Sequence, residues 1–156
     1  MNCGFKQKLF LLCLIIMVQA SSAQSNTVLD TFLEAESASF ELSVYLVLVA
    51  SGVVDESASP AEAMESYALV GRKPLMRQQA EDHPITAGEF GHILLQALGI
   101  PGGLMYSVFP GPWYAAKELN HKRLLPEPRL ARQVLTPFEV VYALQKALEL
   151  GEAVDQ

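Results

Sequence analysis

Slid against itself by 50 positions without gaps, the chain matches from Ala63–Ile100 to Trp113–Leu150. Ile85-Thr86-Ala87-Gly88-Glu89-Phe90 falls on Leu135-Thr136-Pro137-Phe138-Glu139-Val140, and Leu94, Ala97 and Leu98 fall on Leu144, Ala147 and Leu148. A fixed period of this size marks supersecondary units that bury their faces against one another, which narrows the fold more than any composition does. The paired Thr and Glu have a mechanical meaning. Thr-x-x-Glu ahead of an apolar period is a capping box: the hydroxyl takes the N–H of the third helical residue and the Glu reaches back to the cap N–H. Phe90, Ile93, Leu94, Ala97 and Leu98 then line one face of a helix, as do Val140, Val141, Leu144, Ala147 and Leu148 in the second copy. Gly99 and Gly151 are the expected stops, and Pro137 suits a first helical position, where its missing N–H costs nothing.

Two shorter helices precede these. Ser59-Pro60-Ala61-Glu62 is another box and opens a helix to about Val70. Pro112 to about Lys122 is its counterpart, with Trp113, Ala116 and Leu119 as the inner face. Each unit thus reads as helix, loop, helix. The run Val44–Val49 is rich in strand formers and fits a buried strand as well as a helix by pattern. Glu41 aligns with Glu89 at a shift of 48, which favours a helix and a half-unit before the two full ones. The predicted fold class is all-α: repeated helix–loop–helix units packed as a small bundle, with 24–58 as the half-unit and 59–156 as the two units of the same domain.

Residues 1–23 read as an address. Lys6 and Lys8 precede the uncharged apolar run Leu9–Val18, and Ser21 and Ala23 are the small residues of a cleavage site after Ala23. That is the pattern of a secretory signal peptide. As a helix the run is about 15 Å long, half of a bilayer core. Cleavage would remove both cysteines, Cys3 and Cys13, and take the formal charge from −6 to −8. An acidic chain without a basic block is not expected to bind nucleic acid. No later apolar run is long enough to span a membrane as a helix, so no transmembrane segment is expected in the mature chain.

The period near 50, the helix–loop–helix unit and the Ile-Thr-x-x-Glu-Phe helix start resemble the S-layer homology (SLH) family. In that family the second helix begins with threonine, arginine, alanine, glutamate; Thr86 and Glu89, and Thr136 and Glu139, stand at its threonine and glutamate. The stretch from Tyr106 to Trp113 is similar to the aromatic segment ahead of the family's first helix. The resemblance implies a non-catalytic grip on cell-wall polymer or peptidoglycan. Three departures matter, the first being that the family's early aspartate is absent, with Ser107 nearby. The family's arginine, associated with gripping anionic polymer, is replaced by Ala87 and Pro137, and Trp113 has Ala63 at its repeat position.

Arg72-Lys73 and Lys122-Arg123 recur one period apart at the ends of the short helices. They are candidate anion-binding pairs, or charges placed favourably at helix C-termini. Trp113 and Tyr114 are candidates for stacking on a sugar ring, with core packing the expected role of Trp113. Thr86, Glu89, Thr136 and Glu139 are expected to be caps rather than ligands. His83, His92 and His121 lack metal-ligand spacing, and on its helix His92 falls with Glu89 and Gln96, which predicts a solvated histidine. Neither a nucleophile motif nor a carboxylate pair is evident, and no cofactor is expected. The expectation is an exported, non-enzymatic envelope protein that binds cell-wall polymer or peptidoglycan. The alternative is a periplasmic protein–protein adaptor that keeps the scaffold without glycan binding.

Overall fold

The computed structural model describes residues 29–70 and 83–154. The chain divides into two units, 1–31 and Phe32–Gln156; of the first, only residues 29–31 are described, and they are helical. Six helices follow: α1 (Phe40–Ala50), α2 (Pro60–Val70), α3 (Ala87–Ala97), α4 (Leu104–Val108), α5 (Pro112–His121) and α6 (Pro137–Val154). Among the described residues there is no strand beyond two isolated bridges, Ser39 with Pro84 and Thr86 with Val134. The described part of the chain is thus all-helical. Val44–Val49 lies inside α1, which buries Val44, Tyr45, Val47 and Leu48 over a wide arc because α2 and α3 both pack on it.

The starts of α1, α3 and α6 are tied to one another through their backbones. Ala38 N–H donates to the Leu135 carbonyl (2.9 Å), Leu135 N–H to Ile85 (3.0 Å), and Ile85 N–H to Ala38 (2.8 Å), which closes a ring of three. Each ring residue immediately precedes a cap (Ser39, Thr86, Thr136), and all three side chains are fully buried. An outer pair of bonds flanks the ring, Phe40 N–H to His83 and Ala87 N–H to Gln133, both 2.8 Å. Pro137, next after the third cap, has no N–H with which to make another. Buried amides thus find partners where three loops meet, as they must away from water.

Ser39 caps α1 by accepting from Leu42 N–H, as Thr86 and Thr136 accept from Glu89 and Glu139 N–H at the starts of α3 and α6. Packing partners differ from the simple unit. α2 lies chiefly on the preceding α1, and α5 chiefly on the preceding α3. Two glycines set the second contact: a Cβ on Gly88 would meet the Pro112 carbonyl at 2.8 Å, and one on Gly91 would meet Leu119 at 2.9 Å. α5 therefore buries Ala115, Ala116 and Leu119, while Trp113 faces outward and not into the core as predicted. The other departure is Gly151, which sits within α6 and not at its end.

Candidate ligand-binding site

The four cap residues spend their polar atoms on one another. Glu89 Oε2 accepts from Thr86 N–H (3.0 Å) and from the Thr86 hydroxyl (2.7 Å), and Glu89 N–H donates back to Thr86 Oγ1 (3.4 Å). Glu139 Oε2 does the same with Thr136, at 2.9 and 3.0 Å, with the return bond at 3.3 Å. The second oxygen of each carboxylate faces a basic group: Glu89 Oε1 is 3.7 Å from His83 Nε2, and Glu139 Oε1 takes a 2.5 Å bond from Arg129 Nε. Burial of Glu139 pushes its carboxyl up, but the Thr136 and Arg129 hydrogen bonds outweigh this and hold it below the usual 4.5. Glu139 thus has both oxygens engaged, whereas Glu89 Oε1 makes no hydrogen bond with His83, whose buried Nε2 has no hydrogen-bond partner. Ala87 and Pro137, which follow the caps Thr86 and Thr136, are both buried.

The basic pair at the end of α5 is placed differently. Lys122 is the C-cap of α5, and Arg123 follows with φ 55°, the one described non-glycine residue in the left-handed region. Its N–H donates to the Asn120 carbonyl (3.2 Å), and Leu124 N–H donates to Leu119 (2.9 Å). This is the helix-ending turn in which glycine is the usual occupant. The same bonds end α1 at Gly52 (φ 71°) and α3 at Gly99 (φ 62°). Arg123 lines a cleft of about 290 Å3 together with Asn120, Leu125, Pro126, Pro128 and Tyr142. Asn120 holds the far side of this loop in place: its Nδ2 donates to the Arg129 carbonyl (2.8 Å) and its Oδ1 accepts from Arg129 N–H (3.0 Å). The cleft therefore combines a guanidinium, a phenol ring and proline faces on a pinned loop. That set can hold an anionic group through Arg123 and a sugar ring against Tyr142.

Trp113 and Tyr114 are joined through Lys117, whose Nζ stands 5.6 Å and 5.5 Å from their ring centres. Trp113 is 57% exposed, and Tyr114 is partly buried against Leu95, Tyr106 and Ala115. They sit at the start of α5, whereas Lys122 and Arg123 end it, about 15 Å away along the axis. The structure does not gather the two pairs into one site. Arg72 and Lys73 lie outside the described residues.

His92 is not solvated. It is 5% exposed, with Nδ1 at 2.9 Å from the Tyr106 hydroxyl and Nε2 at 3.1 Å from Gln96 Nε2. Helix α4, which carries Tyr106, covers it. Burial lowers the imidazole below its usual 6.5 and lifts the Tyr106 phenol to about 12. With the Gln96 amide donating to Nε2, the neutral ring donates from Nδ1 to Tyr106, which makes a structural pair. Among the described residues no group of three or more His, Cys, Asp or Glu gathers as it would around a metal. Tyr142 and the left-handed turn at Arg123 were not singled out in the sequence; the only signal for the latter is a helix that ends where no Gly or Asn follows. Comparison with protein-family models, with curated proteins and with solved structures finds no match to the chain.

Proposed function

We propose that the protein is an exported envelope protein with a degenerate SLH-like domain, and that it binds an anionic cell-wall polymer or peptidoglycan without catalysis. The ring that joins the starts of α1, α3 and α6 supports the repeat reading, since three capped helix starts related by one bonding pattern are what three copies of one unit would leave. The polymer contact is assigned to the cleft at Arg123 and Tyr142, with Lys122 beside it. The observation that carries this assignment is Arg123 itself. A residue kept in a conformation that glycine adopts more easily, with its side chain lining a cleft, costs stability that a purely structural turn would not need to give up. No ion pair or side-chain hydrogen bond takes up Arg123 among the described residues, so its charge is available to a ligand.

The test is co-sedimentation with purified peptidoglycan sacculi at low and high salt, for the parent and for Lys122→Gln/Arg123→Gln, with helicity checked in both. Binding by the parent that weakens with salt, and is lost in a folded variant, supports the cleft, because exposed charge contacts are screened beyond about 10 Å at 0.1 M. Absence of binding at any salt sinks the polymer reading and leaves the adaptor reading in its place. Equal binding by both proteins removes the cleft from the mechanism.

A further inference from the structure

Between Glu89 and Lys117 the chain carries no Asp, Glu, Lys or Arg. The second half of this stretch turns large apolar side chains to solvent. Leu104 is 80% exposed, and Met105, Val108, Phe109 and Trp113 are each more than half exposed. Leu104, Met105 and Val108 share one side of α4. The side opposite is anchored by Tyr106, the one buried residue of that helix, through His92 and through packing on Leu95 and Ala115. Polar groups that would resist an apolar medium are bonded within the turn itself. The Ser107 hydroxyl donates to the Gly103 carbonyl at 3.1 Å, Ser107 N–H donates to the same carbonyl at 3.0 Å, and Phe109 N–H to Met105 at 2.9 Å. A charge-free, outward apolar tip of this kind is rare on a protein that has no use for it.

We propose that this tip, Leu104 to Trp113, docks on the surface of a phospholipid bilayer carrying anionic headgroups. The charge distribution selects that occupant. The basic residue beside the tip is Lys117; Lys122 and Arg123 lie at the far end of α5, and Arg129 is paired with Glu139. Glu118 lies against Gly103 at the foot of α4. Lys117 stands over the Trp113 and Tyr114 rings, at the base of the tip. With the apolar side chains among acyl chains, an indole and an ammonium at that level meet the headgroup region, where amphipathic aromatic and basic groups are most stable. A protein partner would need something to fix its register, and the tip presents neither a charged pair nor a free backbone edge. A lipid surface needs no register. The proposal does not depend on the polymer reading, since the Arg123 cleft is at the other end of α5.

Trp113 is the only tryptophan of the chain, so its fluorescence reports this site alone. The full chain is mixed with vesicles of equimolar phosphatidylcholine and phosphatidylglycerol, and separately with phosphatidylcholine alone. Position is read from Trp113 and not from flotation, because an apolar run such as Leu9–Val18 would float the chain whether or not the tip docks. The expected result with the mixed vesicles is a blue shift of the Trp113 emission, protection from acrylamide, and quenching by lipid brominated on its acyl chains. Leu104→Ser/Phe109→Ser, both at exposed positions, should lower the partitioning about tenfold or more while leaving the circular dichroism unchanged. Lys117→Gln should remove the preference for the anionic vesicles. Trp113 emission that stays unshifted and open to acrylamide with both vesicle types overturns the proposal without reference to any variant. Self-association without lipid, abolished by the same double substitution and competing with vesicles, would also overturn it and assign the tip to a second copy of the chain.

Discussion

Replacing Arg123 with glycine should make the protein more stable. Arg123 has φ 55° and occupies the residue after the α5 C-cap, where its own N–H and that of Leu124 close the turn onto Asn120 and Leu119. Holding an L-residue in the left-handed region costs about 1–2 kcal/mol, because Cβ crowds the carbonyl. Glycine removes that cost but loses more chain entropy on folding, about 0.5–1 kcal/mol. The difference favours Arg123→Gly by about 0.5–1 kcal/mol. The turn needs no side chain, since equivalent turns at Gly52 and Gly99 close with the same bonds. Urea unfolding followed by circular dichroism measures the change: the midpoint should rise with the slope unchanged. Thermal unfolding should shift upward by about 2–4 °C. The same variant should bind sacculi more weakly than the parent, so stability and binding move in opposite directions. A variant less stable than the parent by about 0.5 kcal/mol or more would falsify the reasoning, because it would show that the guanidinium stabilises the fold.

Thr86→Ala and Thr136→Ala should each cost about 1 kcal/mol through loss of the cap, read by urea unfolding. Thr136→Ala should cost the more of the two, because the Glu139 carboxylate it leaves behind is nearly fully buried. Gly91→Ala should destabilise by about 1–3 kcal/mol, since the added Cβ meets Leu119 at 2.9 Å, whereas Gly151→Ala in open space within α6 should gain about 0.5–1 kcal/mol; an equal effect at both sites would refute the close approach of α3 and α5. Acid should act in two stages. Burial keeps the folded pKa of His92 below 6.5, so the unfolded chain takes that proton first and stability starts to fall as pH drops below about 6.5. The Glu139 carboxyl is held below 4.5, so its contribution is present above that pH and is lost as pH falls through the lower folded value. His92→Gln should flatten the first stage and leave the second, in unfolding curves taken across that range.

Local signals made the helices legible, and their limits follow from the same physics. Capping boxes at Ser59, Thr86 and Thr136 are chemistry within four residues, so their bonds are visible in sequence before any packing is known. The Val44–Val49 run was ambiguous because a helix covered on two sides loses the one-sided periodicity that marks an amphipathic one. Trp113 misled for a related reason. Helical periodicity fits Trp113, Ala116 and Leu119 (i, i+3, i+6) as well as Ala115, Ala116 and Leu119 (i, i+1, i+4). What decides between them is the partner surface: Gly88 and Gly91 let α5 approach α3 closely, with Pro112 against Gly88 and Leu119 and Ala115 against Gly91. That information belongs to the other helix. His92 was misplaced because it is covered by α4, and the Pro101-Gly102-Gly103 stretch just before α4 signals only a loop.

The candidate cleft was half legible. Lys122 and Arg123 stand out as a pair, but a pair of cations after a helix has the same appearance whether it complements the helix dipole or binds a ligand. The backbone distinguishes Arg123 from Lys122. A cation that serves the dipole works from any position in the last turn, in ordinary helical geometry, so nothing in that role requires the left-handed residue of the closing turn. Arg123 occupies that residue, and there its side chain enters a cleft with Tyr142, which arrives from a helix some twenty residues later in the chain. The strain and the cleft are both products of the turn after α5. The proposed ligand role would account for both together, and a dipole role for neither. It follows that Lys122 and Arg123 should not be interchangeable. Lys122→Gln should weaken sacculus binding modestly and leave stability unchanged, while Arg123→Gln should abolish binding. Equal losses from the two would mean that charge density at the end of α5 matters, and the cleft does not.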